Sequence, residues 1–274
     1  MPWQVRCDEG MEQLSSSSIA VTLVGGPTAV IDYAGLRVVT DPTFDQPSTY
    51  GPERHGVEGI TLVKTAPPAL TPEDLGTVDI VLASHEHWDN LDQAGREFAA
   101  GVPKVFGPDI VATAVPNTEV LQEWESREVP TPDSRTVTVT AVPAHHGPDG
   151  VWEMLGPVLG FVLTCPGERT VYFSGDNSSL EVVRTIAARF PDIGLAILNA
   201  GGPKFELFGS DFIALSEDTT SEVAAVLGAA VIVPIHADSW EHFTQTTRST
   251  KAVADSKGVG DRFFALSPGE SISV

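Results

Sequence analysis

The sequence predicts an α+β fold in which β-sheets pack together with helices on the outside. Short β-type runs separated by turns open the chain, and mixed strand and helix units follow them. Length is the other observation, since 274 residues can bury a sizeable core without disulfides or a structural metal. A metal site in such a chain therefore needs a functional explanation.

Residues 1–19 carry Asp8, Glu9, Glu12 and a serine run at 15–18. They lack the basic start and apolar centre of a secretory signal and are expected to form a flexible N-terminal leader. Residues 20–274 are expected to form one domain. Runs at 20–24, 29–33 and 36–40, separated by Gly25-Gly26-Pro27 and Ala34-Gly35, read as an antiparallel opening. From 41 to 75 the chain is rich in Pro, Gly and polar residues without periodicity, which predicts a loop bordering the site. The apolar run 79–84 reads as a strand, followed by the polar sequence HEHWDNLD and a helix over 91–100 closed by Gly101. Strands are predicted at 104–106, 136–142, 158–164 and 170–173. Over 178–190, Ser178 and Glu181 form a capping box, Leu180, Val183, Ala187 and Phe190 share a helical face, and Pro191 stops the helix. Further strands are expected at 195–198 and 231–235, with helices over 217–227 and about 242–256.

The formal charge of −21 argues against a protein that tracks a phosphate backbone, so no nucleic-acid partner is expected. Apolar stretches such as 224–235 are broken by Gly and Pro and fall short of the ~20 residues a membrane helix requires, so no membrane insertion is expected. Cys7 and Cys165 lack paired spacing, which supports neither a disulfide framework nor a cysteine zinc site, and the expected location is cytoplasmic. Gly201-Gly202-Pro203 matches a phosphate-cradling loop only loosely, and no nucleotide-binding glycine pattern accompanies it.

The placement of the histidines is the informative feature. His85, His87 and Asp89 follow one predicted strand, His145 and His146 end another, Asp176 follows a third and His236 a fourth. Strand ends are rigid platforms whose loops face solvent and can admit a substrate. Imidazole and carboxylate together suit zinc and similar divalent ions, and the absence of cysteine ligands favours an open, catalytic site over a structural clamp. The two-residue spacing of His85 and His87 lets both rings reach one ion, with Asp89 addressing a neighbour.

His85-Glu86-His87-Trp88-Asp89-Asn90 resembles the HxHxDH signature of the metallo-β-lactamase superfamily of hydrolases. The stretches around His145-His146, Ser174-Gly175-Asp176 and Val233-Pro234-Ile235-His236 agree in order. Thr40-Asp41-Pro42, Asn90-Leu91-Asp92 and Trp240-Glu241-His242-Phe243 are similar, more narrowly, to the ascorbate-phosphate lactonase-like branch. The resemblance implies a four-layer αββα sandwich with metals in a cleft at one edge of both sheets. It also implies one ion held by His85, His87 and a histidine of the 145–146 pair, and another held by Asp89 and His236, with Asp176 bridging. Adjacent strand residues point to opposite faces, so only one of the pair is expected to be a ligand, and the family pattern places it at His146.

Asn90 departs from the family, which has a metal-binding histidine there. Asparagine is a preferred helix N-cap, and a cap for the helix over 91–100 is expected ahead of direct ligation by its amide oxygen, a harder and weaker donor. The second site then has fewer nitrogen donors, and the alternatives are a weak site, an empty one, or one better suited to manganese or iron than to zinc. Asp41 either anchors a site histidine or forms an ordinary Asp-Pro turn, and His145 either contacts substrate or fills space. Trp88 and Trp240 either wall the cleft or pack, whereas His242 is expected to be structural or at the rim and His55 at the surface. The expected cofactors are one or two divalent ions, zinc first. The expected activity is hydrolysis of a small-molecule ester, lactone, amide or phosphoester bond by metal-activated water, with Asp89 and Asp176 as catalytic carboxylates. Alternatives are a phosphodiesterase for lipid-like or nucleotide substrates, a one-iron redox enzyme and a metal-binding member that has lost hydrolysis; a homo-oligomer is compatible with any of these.

Overall fold

The computed structural model describes residues 18–55 and 58–274. Most of the expected leader lies outside the described residues, as do Cys7 and the side chain of His55. Strands β1 (Ala20–Gly25), β2 (Thr28–Tyr33) and β3 (Leu36–Thr40) form the antiparallel opening. A hairpin of β4 (Ser48–Tyr50) and β5 (Leu62–Lys64) then encloses the short helix α1 (Pro52–His55). Next come β6 (Ile80–Leu82), α2 (Gln93–Ala100), β7 (Lys104–Gly107), α3 (Asp109–Ala114) and β8 (Thr118–Val120), whose strands extend β3 in parallel.

The second half runs β9 (Ser126–Pro130), β10 (Thr136–Ala144), α4 (Trp152–Leu155), β11 (Val158–Thr164) and β12 (Thr170–Phe173). It continues through α5 (Leu180–Arg189), β13 (Ile193–Asn199), α6 (Glu217–Val226), β14 (Val231–Ile235) and α7 (Thr247–Ser256), and β15 (Ser271–Ser273) returns to pair with β1. One sheet has the order β15-β1-β2-β3-β6-β7-β8 and the other β14-β13-β12-β11-β10-β9, each mixing parallel and antiparallel pairs.

The period-two alternation of strand side chains sorts residues into layers. Val38, Ile80 and Leu82 point inward and meet Phe161, Phe173, Ile197 and Val233 of the facing sheet in one central core. Val39 and Val81 point the other way, to a layer containing Leu91, Ala99 and Val111 beside α2 and α3. Tyr172, Ala196 and Ile232 face Val183, Ile186, Val223 and Ala254 of α5, α6 and α7. The result is the expected αββα sandwich. Each fully buried aliphatic or Phe side chain contributes roughly 1.5–3 kcal/mol, so the two-sheet core holds the strand ends fixed.

Several expectations need correction. The helix expected from 91 begins at Gln93, and its N-cap is Asp92, whose carboxylate accepts from the Gly95 N–H at 2.8 Å, so Asn90 is no cap. Ser179, not Ser178, caps α5, because Ser178 is used to hold the His145–Gly147 turn by accepting from Gly147 N–H and donating to the His145 carbonyl. Residues 41–75 are not structureless but carry the β4–β5 hairpin. The helix expected from about 242 starts only at Thr247, with Thr246 as its cap. Residues 242–246 are thereby free of helical geometry and turn toward the strand ends.

Candidate metal centre

Four strand ends converge at one edge of the two sheets. Beyond β6 lie Ser84, His85, His87 and Asp89; beyond β10 lies His146, beyond β12 Asp176 and beyond β14 His236. Gly175 makes the turn before Asp176 at φ +54°, where a Cβ would stand 2.6 Å from the Leu159 carbonyl oxygen. Only glycine fits that approach.

His85, His87 and His146 form one group able to hold a metal ion. The hydrogen-bond network assigns their tautomers. His85 Nδ1 lies 2.8 Å from Ser84 Oγ, and that hydroxyl lies 2.7 Å from an Asp41 carboxylate oxygen. A hydroxyl that donates to the carboxylate must accept from the imidazole, so His85 keeps its proton on Nδ1 and presents a bare Nε2. His87 Nε2 donates to the Leu155 carbonyl at 3.1 Å, which leaves Nδ1 bare, and His146 Nδ1 donates to the Ile213 carbonyl at 2.6 Å, which makes Nε2 the atom it can offer to an ion. His85 Nε2 and His87 Nδ1 then face each other at 3.0 Å with no proton between them. Two lone pairs this close repel unless a cation lies among them, which is the donor chemistry a divalent ion requires. Burial, reinforced by the neighbouring His87, holds His85 well below the ordinary histidine value, and burial with His146 nearby pushes His87 down to about 4. Both rings are neutral and ready to ligate.

Asp89, Asp176 and His236 form a second such group. Asp176 stands between the two: Oδ2 lies 3.9 Å from His85 Nε2 and 3.6 Å from His146 Nε2, and Oδ1 lies 3.0 Å from His236 Nδ1. Asn199 Nδ2 donates to Asp176 Oδ1 at 2.6 Å and Asn90 Nδ2 at 3.3 Å. Burial alone would raise both carboxyls. The charge of His236 on Asp176, and the hydrogen bond from His242 on Asp89, outweigh burial and hold both well below the usual range. Burial works to lower His236, yet the adjacent Asp176 prevails and raises it.

Asp41 is fully buried at φ 31° and accepts from Ser84 N–H, Ser84 Oγ and Asn90 Nδ2 at 2.6, 2.7 and 2.9 Å. It therefore anchors His85 through Ser84. Burial pushes its carboxyl up to about 7. Asn90 ties Asp41 to Asp176. His145 turns away and stacks on Trp152 at 4.4 Å. Trp88 packs against Tyr50 between the guanidinium groups of Arg54 and Arg96, and Trp240 lies against Tyr50 and Lys64. Neither tryptophan lines the cleft over the centre, which is walled by Ile60, Leu62, Leu155, Phe205, Phe208 and Ile213 around His87, Asp89 and His146. Gly201-Gly202-Pro203 serves packing, since a Cβ at Gly201 would stand 2.1 Å from the His236 carbonyl.

Three participants escaped sequence reasoning. Ser84 and Asn199 sit at strand ends, the same signal that exposed the others. His242, expected to be structural or at the rim, places Nε2 3.0 Å from Asp89 Oδ2 with a side chain only 7% exposed.

Residues 36–237 match the beta-lactamase superfamily domain, and the chain belongs to that superfamily. A UPF0173 metal-dependent hydrolase of Pyrococcus abyssi is 23% identical over 74% of this chain and 84% of its own. Among solved structures, an isothiocyanate hydrolase from Delia radicum gut bacteria shares 23% identity with TM-score 0.74, covering 92% of this chain and 98% of that one. A protein of Veillonella parvula described as a possible metal-dependent hydrolase shares 19% identity with TM-score 0.79, covering 94% and 100%. These likenesses to solved structures establish the fold.

Proposed function

We propose that this chain is a metal-dependent hydrolase that cleaves small, largely apolar molecules by attack of water, with residues 20–274 acting as one hydrolase domain. The observation that carries the reading is the convergence of three histidine ring nitrogens beside Asp176, at the floor of an apolar cleft. His85, His87 and His146 would hold one ion, Asp89 and His236 the other, and Asp176 would reach both. When bound, such ions activate water near neutral pH and stabilise developing negative charge.

The protein's own groups supply positioning. Asp89 lines the cleft with its carboxylate held ionised, so it accepts a hydrogen bond from the incoming water and orients it. Its depressed pKa makes it a positioning acceptor rather than a strong base. Ile60, Leu62, Leu155, Phe205 and Phe208 exclude bulk water and offer an apolar surface to substrate. No Lys or Arg of the described residues lines the cleft, which favours an uncharged substrate. Esters, lactones and amides fit that chemistry, and so does the electrophilic carbon of an isothiocyanate, the substrate named for one structural relative. The lactonase-like branch remains part of this reading through Asp41 and the Trp240-Glu241-His242-Phe243 segment, and the proposed compartment is the cytoplasm.

The test is an assay panel of ester, lactone, amide, phosphodiester and isothiocyanate, run on wild type, His85→Ala and Asp176→Ala. Turnover should fall by at least about a thousandfold in both variants, on the scale lost when transition-state charge stabilisation is removed, while circular dichroism stays that of the folded chain. Full activity in a folded His85→Ala protein would remove the centre from the mechanism.

A further inference from the structure

We propose that His242 is a ligand of the second ion, supplying the nitrogen that position 90 provides elsewhere in the superfamily. The inference rests on the reading of the centre as a two-ion site. The second group, Asp89, Asp176 and His236, contains a single imidazole, whereas a first-row divalent ion takes four or more donors. Asn90 does not supply that nitrogen: its amide nitrogen donates to Asp41 and Asp176, and its Oδ1, buried without a hydrogen-bond partner, offers an oxygen at most.

His242 stands where a donor is missing. Its Nε2 lies 3.0 Å from Asp89 Oδ2, and His236 Nε2 lies 3.8 Å from the same oxygen. Donors ~2.0–2.1 Å from one tetrahedral ion stand about 3.3 Å apart, between those two spacings. His236 Nε2 is buried without a hydrogen-bond partner, as expected of an atom reserved for an ion.

The imidazole is also held in place. Phe205 and Phe243 pack on it with centroids at 5.1 and 4.5 Å. Glu241 N–H donates to the Val63 carbonyl at 3.0 Å, and Thr244 and Gln245 N–H groups donate to the Gly201 carbonyl at 3.2 and 3.0 Å. The segment is thus pinned on both sides of His242, the rigidity a ligand needs. The positive φ of His236, 55°, and of Ser239, 67°, turns the chain back after β14 so that residue 242 reaches Asp89. The competing account is a plain Asp89–His242 ion pair.

Metal-free protein is titrated with zinc, and bound zinc is counted by mass spectrometry after gel filtration. Wild type should hold about two ions per chain, and His242→Ala about one, with the second ion's affinity weakened at least about tenfold and the first unchanged. The double variant His242→Ala/Asn90→His should regain the second ion. Retention of two ions at unchanged affinity by His242→Ala overturns the proposal. If that variant fails to fold, anomalous scattering from zinc-loaded wild-type crystals decides: His242 Nε2 about 2.1 Å from the second ion supports it, and a separation beyond about 3 Å overturns it. One ion in both wild type and variant also overturns it, while leaving a single-ion hydrolase standing. Loss of the second ion on mutation, in a protein that hydrolyses nothing on the panel, sustains the ligand and defeats the proposed function.

Discussion

At the residue scale, the centre works because hydrogen bonds outside it decide where protons sit inside it. Asp41 never faces the bare nitrogens, yet through Ser84 it fixes the tautomer of His85. Asp41→Ala leaves three donors without their acceptor and should weaken the first ion's binding by about 10–100-fold, measured by competition with a chromophoric chelator. The two groups should also differ in their response to pH. His85 and His87 are held below the ordinary histidine range, so they are already neutral between pH 6 and 8 and an ion entering there displaces no proton from them. His236 is raised by Asp176, so it carries a proton over part of that range and an ion must expel it. Affinity of the second ion should therefore rise with pH from 6 to 8 while that of the first changes less. Calorimetry in two buffers of different ionisation enthalpy reads this directly, and proton release with the first ion alone would contradict it.

At the element scale, strands deliver the site and one buried ion pair fixes the helix beside it. Asp92 caps α2, accepts from the Phe44 and Asp45 N–H groups, and receives Lys64 Nζ at 2.9 Å with both side chains almost fully buried. Lys64→Ala strands that carboxylate without its counter-charge and should cost about 3–5 kcal/mol in urea unfolding. A change below about 1 kcal/mol would show that the three backbone donors suffice. The same elements show how much the sequence disclosed. The strands before His85, Asp176 and His236 were legible because they are continuous apolar runs ending in residues of few alternative uses. The β4–β5 hairpin was not, since strands of three residues are too short to show a period. The start of α7 lies later than expected because Trp240 packs on Tyr50 and Phe243 lies against Gly201, which hold residues 240–243 in an extended turn ahead of the Thr246 cap. That later start concealed His242.

At the scale of the whole molecule, a chain of net charge −21 builds an apolar cleft over a cluster of imidazoles and carboxylates. The outer charge repels polyanions, while two divalent ions beside Asp89 and Asp176 would make the interior locally positive. Among the described residues no helix is long and apolar enough to cross a membrane. The apolar walls predict that, within one series of esters, kcat/KM rises as the acyl chain gains its first few carbons, by roughly fourfold per methylene if each buried group contributes ~0.8 kcal/mol. A flat or falling series would show that the cleft does not receive the acyl group. The central claim, hydrolysis that depends on ions held by these histidines and aspartates, is tested by measuring metal content and turnover in one preparation before chelation, after chelation and after re-addition of zinc, manganese or iron. The account predicts that both are lost together and return together, in a chain that stays folded throughout. Hydrolysis that persists in fully metal-free protein would contradict it.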